Sequence, residues 1–136
     1  MRKGFTLVEL LAVLVLLAII VGFVAINAVG FSNQRKEIDY NNIVSLTIDN
    51  TKVLINTNKQ ISKKVDYNLQ TSSTNSCKLE YSVLVDNRLM DKDTKNPKTG
   101  EKFNGNIIIS LNTQTNEYSY EFDETNKSSE LIDCLQ

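Results

Sequence analysis

The chain has 136 residues, with 15 Lys and Arg against 16 Asp and Glu, so its formal net charge is -1 and no overall basic field favours nucleic acid. It contains no histidine and only two cysteines, which excludes the usual zinc sets, Ser-His and Cys-His nucleophile pairs and CxxC redox chemistry. An apolar N-terminus of about 30 residues leaves about 100 residues for one small domain. We therefore expect no enzyme activity, no metal and no cofactor.

The apolar N-terminal segment extends from Phe5 to Ile26 and follows two cations, Arg2 and Lys3. As a helix, its roughly 22 residues would be about 33 Å long, which matches a hydrocarbon core about 30 Å thick. The cations predict a cytoplasmic N-terminus and an exported C-terminal part. Glu9 lies inside the segment, where a charge costs about 2.5 to 3.5 kcal/mol on insertion scales, so its presence suggests a partner.

Two other interpretations of this segment remain open. The first is a secretory signal peptide, with the small residues of Ala28-Val29-Gly30 as a cleavage site. The second is an ordinary signal anchor in which the Glu9 carboxylate reaches back to the cytoplasmic interface. The residues around Glu9 bear on this choice.

The segment from Lys3 to Leu10, KGFTLVEL, resembles the processing signature of type IV pilins and pseudopilins. The resemblance implies that a prepilin peptidase cuts between Gly4 and Phe5 and N-methylates Phe5. It also implies that Glu9 attracts the N-terminal ammonium of a neighbouring subunit during assembly, because opposite charges attract strongly where water is scarce. Glu9 is therefore expected to be an assembly group and not a catalytic acid.

The same resemblance implies a structural subunit of a type IV pilus or pseudopilus. Its partners would be other pilin subunits, the prepilin peptidase, the inner assembly platform with its ATPase, and membrane lipid before assembly. The precursor would lie in the cell membrane with a cytoplasmic N-terminus and its head outside. The mature subunit would then be part of an extracellular pilus or the cell surface.

Two alternative functions are also open. One is a minor tip or priming pilin of a competence or secretion system, whose head binds a ligand or DNA through Lys92, Lys95, Lys98 and Lys102. The interleaved acidic residues weaken that electrostatic case; they are Asp91, Asp93 and Glu101. The other is a monotopic membrane protein that never polymerises.

Apolar residues at helical spacing continue beyond the N-terminal segment; they are Ile43, Val44, Leu46, Ile48, Leu54, Ile55 and Ile61. They predict one helix from about Phe5 to about Ser62. Gly22 and Gly30 are its weak points, each costing up to about 1 kcal/mol relative to Ala. The alternative is two helices broken near Gly30 to Asn33.

The C-terminal half alternates polar segments with short apolar patterns. These predict a loop at Asp66 to Ser76, a short helix within Lys78 to Met90, and a solvated loop at Asp91 to Glu101. A β-hairpin then follows, with a turn at Asn112 to Asn116. Its strands carry alternating apolar residues, Ile107, Ile109 and Leu111 on the first and Tyr118, Tyr120 and Phe122 on the second. We expect the aromatic row to pack against the helix rather than bind a ligand.

The segment Tyr81 to Phe122 also resembles the head of Gram-positive pilin-like proteins. The expected fold class is α+β, with a long N-terminal α-helix packed against a small head that holds a short helix and an antiparallel β-hairpin or sheet. The expected organisation is a leader peptide at 1–4, a hydrophobic transmembrane or filament-core helix at 5–30, and a soluble head at 31–136. The head divides into an amphipathic helix at 31–62 and the remainder at 63–136.

The two cysteines, Cys77 and Cys134, lie far apart in sequence. If the head is outside the cytoplasm, an oxidising location permits a disulfide between them. Such a bridge would enclose roughly 56 residues and stabilise the head by about 4 kcal/mol in the chain-entropy model. It would pin the tail from Glu124 to Gln136 onto the head. Two free thiols are the alternative.

Overall fold

The computed structural model describes residues 6 to 125 and 127 to 136, with the backbone alone for residues 23 to 29. In chain order, its elements are α1 (Leu7–Thr57), α2 (Lys59–Thr71), β1 (Ser76–Glu80), α3 (Tyr81–Asp86), β2 (Asn106–Asn112), β3 (Glu117–Asp123) and a 3-10 helix (Lys127–Glu130). The predicted α+β class is confirmed. The chain divides into two compact units at the boundary between Ile38 and Asp39.

The long helix ends earlier than predicted, because Asn58 starts a new helix. Asn58 leaves the helical conformation, with φ -100 and ψ 96, and its side-chain oxygen accepts hydrogen bonds from the backbone N–H groups of Gln60 and Ile61 at 3.1 and 3.2 Å. This is the N-cap geometry that satisfies otherwise unpaired donors of a first turn. The predicted single helix to Ser62 is therefore wrong. The alternative break near residues 30 to 33 is also wrong, since α1 is continuous there.

Helix α2 replaces the first part of the predicted loop at Asp66 to Ser76. It extends to Thr71 and buries Val65, Asn68 and Leu69 on one face, at helical spacing. Asn68 conceals this pattern in the sequence because it is polar. Its side-chain amide donates to the carbonyl oxygen of Cys134 at 3.0 Å, a partner from a distant segment that the sequence does not reveal.

The three strands form one antiparallel sheet in the order β1-β2-β3. The hairpin of β2 and β3 confirms the prediction and pairs Ile107 with Phe122 and Ile109 with Tyr120. Strand β1 is not among the predicted elements, because the predicted loop ends at Ser76 and the predicted helix region begins at Lys78. Its side chains are buried alternately, with Cys77 and Leu79 in the core, so the period is that of a strand.

The core of the second unit lies between the helices and one face of the sheet. Its buried hydrophobic residues are Leu54, Ile55, Val65, Leu69, Cys77, Leu79, Tyr81, Leu84, Phe103, Ile107, Ile109 and Cys134. Thr47 and Thr51 are also fully buried on α1. Each hydroxyl donates to the carbonyl oxygen four residues earlier at 2.8 Å, so neither leaves a buried donor unpaired.

The aromatic row of β3 is only partly buried. Phe122 stacks on Phe103 with ring centroids 4.9 Å apart, and Tyr120 packs beside the core. Tyr118 is 40% exposed and its hydroxyl donates to the carboxylate of Asp66 at 2.6 Å. This hydrogen bond, with burial second, raises the pKa of Tyr118 to about 12. Two of the three rings therefore pack against the core, and the ring that Phe122 contacts belongs to Phe103, which lies between α3 and β2 and not on a helix.

The loop that precedes β2 is anchored, although the sequence predicts solvated surface. Asn96 is only 4% exposed, and its side-chain amide donates to the carboxylate of Glu124. Its backbone N–H donates to the carbonyl oxygen of Glu101 at 2.8 Å, and Phe103 enters the core. The charged residues between these anchors are exposed, so the predicted solvated loop at Asp91 to Glu101 is correct for them and wrong for Asn96.

A disulfide joins Cys77 of β1 to Cys134 near the C-terminus, as the sequence predicts, and both residues are fully buried. The tail lies along the edge of β1 in a short parallel pairing of Lys78 with Asp133. The backbone N–H of Lys78 donates to the carbonyl oxygen of Ile132, and that of Cys134 donates to the carbonyl oxygen of Lys78, both at 2.9 Å. The tail therefore covers the edge of the sheet opposite β3.

Candidate functional site

Thr6 and Glu9 form a reciprocal cap at the start of α1. The carboxylate oxygen Oε2 of Glu9 accepts from the backbone N–H of Thr6 at 3.1 Å and from its hydroxyl at 3.0 Å. The backbone N–H of Glu9 is 3.4 Å from the Thr6 hydroxyl oxygen. This arrangement is a capping box, in which two residues three positions apart satisfy donors that the first helical turn leaves unpaired. A carboxylate in this turn is also favoured by the helix dipole.

The capping role of Thr6 was not predicted, although the Thr-x-x-Glu spacing at the start of an apolar helix signals it. The cap gives Glu9 hydrogen-bond donors within its own chain. Both donors contact one oxygen of the carboxylate, and a carboxylate can accept several more hydrogen bonds. The predicted cleavage residues Gly4 and Phe5 lie outside the described residues.

The first turns of α1 expose apolar side chains in every direction. Leu7 and Val8 are 79% and 74% exposed, and all side chains from Thr6 to Gly22 are exposed. Glu9 is the only ionisable residue among them. Contiguous apolar surface of this kind marks a binding face in a protein.

Within residues 6 to 125 and 127 to 136, no helix has an apolar stretch long enough to cross a membrane. The predicted span from Phe5 to Ile26 is not confirmed.

The four lysines proposed as a ligand site in the head have different surroundings. The Lys98 ammonium lies 3.9 Å from the centroid of the Tyr40 ring, and the Lys102 ammonium lies 3.6 Å from a carboxylate oxygen of Asp93. Lys95 is opposite Lys102 in an isolated antiparallel bridge. Lys92 and Lys102 both line a surface cavity of about 270 Å³. The interleaved acid at Asp93 thus pairs with one of the lysines, which weakens their combined field.

Asp123 forms the most densely hydrogen-bonded carboxylate of the described head. It is 7% exposed and accepts from the backbone N–H of Ser128 at 2.8 Å and from the N–H and hydroxyl of Thr125 at 3.0 and 2.9 Å. Burial by itself would raise the pKa of Asp123, but these donors outweigh burial and lower it to about 2. The cluster fixes the turn after β3, and we assign it a structural role.

No group of His, Cys, Asp and Glu residues in the part of the chain that the structure describes could hold a metal ion. One of the larger surface cavities of the described residues lies at the junction of α1 and α2. It has a volume of about 520 Å³ and is open to solvent. It is lined by Leu54, Thr57, Asn58, Lys59, Gln60, Asn87 and Leu89. This lining includes no carboxylate, histidine or cysteine side chain.

Comparison with known proteins gives one match. Residues 1–25 match a protein family model described as the prokaryotic N-terminal methylation motif. No curated protein and no solved structure matches the chain significantly. The matched segment contains Gly4, Phe5, Thr6 and Glu9, so it covers both the predicted cleavage position and the capping box. The match supports a type IV pilin- or pseudopilin-like protein that is processed by a prepilin peptidase.

Proposed function

We propose that the chain is a structural subunit of a type IV pilus or pseudopilus, cut between Gly4 and Phe5 and assembled through its N-terminal helix. The methylation motif at residues 1–25 carries this proposal. The motif also suggests a membrane-anchored precursor. The exposed apolar side chains of Leu7 to Val21 support it, because this surface requires an apolar environment such as neighbouring helices.

We propose that subunits attract one another through the Glu9 carboxylate. Cleavage after Gly4 creates a new N-terminal amine at Phe5, and it removes the cations Arg2 and Lys3. The Thr6 donors neutralise none of the Glu9 charge, so the carboxylate remains available to the ammonium of a neighbouring subunit. Packed helices exclude water, which strengthens the attraction and offsets the cost of removing each charge from water.

Glu9 has two separable roles, as a helix cap and as a charge. Glu9→Gln is the matched variant, because glutamine also completes a capping box but carries no charge. Glu9→Ala removes both the cap and the charge. We expect the peptidase to cut both variants and neither to enter filaments, since the charge is required for assembly.

The experiment expresses each variant with the peptidase and the assembly system and measures processing by gel mobility and filaments by shearing and electron microscopy. Gly4→Ala serves as the processing control. Normal filament incorporation of Glu9→Gln would contradict the docking role, and wild-type chains that are never cut would contradict the proposed family function. A cut wild-type chain that never polymerises would instead favour the monotopic membrane protein.

A minor tip or priming pilin remains the second candidate function. The cavity flanked by Lys92 and Lys102, with Tyr81 and Phe103 in its lining, is the observation that favours a head ligand. The Lys102 to Asp93 contact weakens an electrostatic attraction to nucleic acid. Replacing Lys92 and Lys102 by Gln would abolish ligand-dependent function, yet leave filament number unchanged, if this candidate were correct.

A further inference from the structure

Asn104 and Gly105 form the only Asn-Gly pair in the sequence, immediately before β2. The fold requires glycine at position 105. A Cβ atom there would lie 2.6 Å from the ring atom Cζ of Phe122 and 2.8 Å from the carbonyl oxygen of Asp123. The backbone angle φ of +156 is also one that residues with side chains rarely adopt. Packing therefore places a residue without a side chain directly after Asn104.

The backbone nitrogen of Gly105 lies close to the side chain of Asn104. Its N–H donates to the Oδ1 atom of Asn104, and the two atoms are 2.9 Å apart. Asn104 is exposed, so water and hydroxide reach its side chain. No Cβ of residue 105 shields the nitrogen from the Asn104 carboxamide. The nucleophilic nitrogen, the electrophilic carbon and solvent are thus together at one point of the folded head.

We propose that Asn104 is a site of spontaneous deamidation in the folded protein. Solvent hydroxide removes the proton from the Gly105 nitrogen, and this nitrogen forms a bond to the Asn104 Cγ atom. The bond from Cγ to the side-chain nitrogen breaks, and this nitrogen takes a proton from water and leaves as ammonia. The resulting five-membered succinimide then adds one water molecule. Opening at Cγ gives aspartate, and opening at the backbone carbonyl carbon gives isoaspartate.

The product changes the local charge and the length of the backbone. Asn104 shares a surface cavity of about 340 Å³ with Glu80 and Glu124, so a third carboxylate there is repelled by two others. Isoaspartate adds one atom to the main chain beside Gly105, whose carbonyl oxygen accepts from the backbone N–H of Tyr81 at 3.0 Å. Deamidation therefore weakens the connection between the start of α3 and the start of β2.

The test ages the full-length chain in detergent micelles, in mildly acid and mildly alkaline buffer, both folded and in denaturant. Peptide mapping by mass spectrometry and an isoaspartate assay then quantify each asparagine. Asn112 and Asn116 are internal controls, because both are exposed but precede Thr113 and Glu117. We expect several-fold more deamidation at Asn104 than at either control in the folded chain, increasing with pH. Deamidation of Asn104 only in the denatured chain would overturn the proposal.

Two variants connect the chemistry to the fold. Asn104→Gln keeps the amide but requires a six-membered ring, so we expect no loss of melting temperature with age. Asn104→Asp carries the added charge without the added backbone atom. If wild type loses melting temperature on ageing and Asn104→Gln does not, the loss originates at this residue. Equal losses in both proteins would place the damage elsewhere and refute the inferred consequence.

Discussion

Removing the disulfide should be the most damaging covalent change in the head. The perturbation is the double variant Cys77→Ala/Cys134→Ala, which leaves no unpaired thiol. The bridged residues are 57 positions apart, and in the chain-entropy model a loop of this length stabilises the fold by about 4 kcal/mol. The hydrogen bonds between Lys78 and the tail do not involve sulfur, so they remain in the variant. The expected loss of stability therefore arises mainly because the unfolded chain is no longer constrained by the bridge.

The assay is urea unfolding of the full-length chain in detergent micelles, monitored by tyrosine fluorescence, since the chain has five tyrosines and no tryptophan. We expect the free energy of unfolding of the double variant to be about 4 kcal/mol lower than that of oxidised wild type. Wild type unfolded in the presence of reductant is the control, and its stability should approach that of the variant. A difference below about 1 kcal/mol in oxidising buffer would refute the reasoning, because the bridge would then add little beyond the tail hydrogen bonds.

Three further predictions concern single residues. Gly105→Ala should lower the free energy of unfolding by about 3 kcal/mol, because the added Cβ meets Phe122 and Asp123. The control is Gly100→Ala, which is also at positive φ but whose added Cβ would have no atom within 4 Å, so it should cost less. Equal losses in urea unfolding would contradict the steric argument. The pKa of Asp123 is about 2 in the folded state against an ordinary 3.8, so its contribution to stability is complete above about pH 4 and is lost as the pH falls toward 2. The difference in the free energy of unfolding between wild type and Asp123→Asn should therefore shrink as the pH falls through this window. A difference that does not change with pH would contradict the low pKa. Asn58→Ala should cost about 1 kcal/mol and increase amide exchange at Gln60 and Ile61, whereas unchanged exchange there would argue against the cap.

The sequence predicted elements whose partners are close in the chain. The hairpin was readable because Tyr118, Tyr120 and Phe122 alternate with polar residues on one side of a short turn. On the other side, the apolar residues Ile107, Ile109 and Leu111 recur at every second position. The Thr6 to Glu9 cap was equally local and could have been recognised from its spacing. These features depend on interactions within a few residues, which is why pattern and propensity suffice to predict them.

Apart from the break between α1 and α2, which the local cap of Asn58 produces, the elements that the sequence did not predict depend on distant partners. Asn68 lies on the buried face of α2 because the Cys134 carbonyl oxygen receives its amide, and this contact spans 66 residues. Strand β1 is a strand because β2 pairs with it, which the five residues of β1 alone do not indicate. Asn96 is similarly buried through Glu124. In these segments, tertiary contacts override the structure that the local sequence favours.

The position of β1 has a kinetic consequence. The hairpin of β2 and β3 closes over a four-residue turn, so its loop-closure entropy is small and it can form early. Strand β1 must then find β2 across α3 and the loop that follows it, and the tail must find β1 across an even longer segment. Contacts between distant residues form slowly because the chain loses entropy before it gains stability. We therefore expect the head to assemble outward from the hairpin, with the Cys77 to Cys134 bond closing last and locking an order of strands that is already correct.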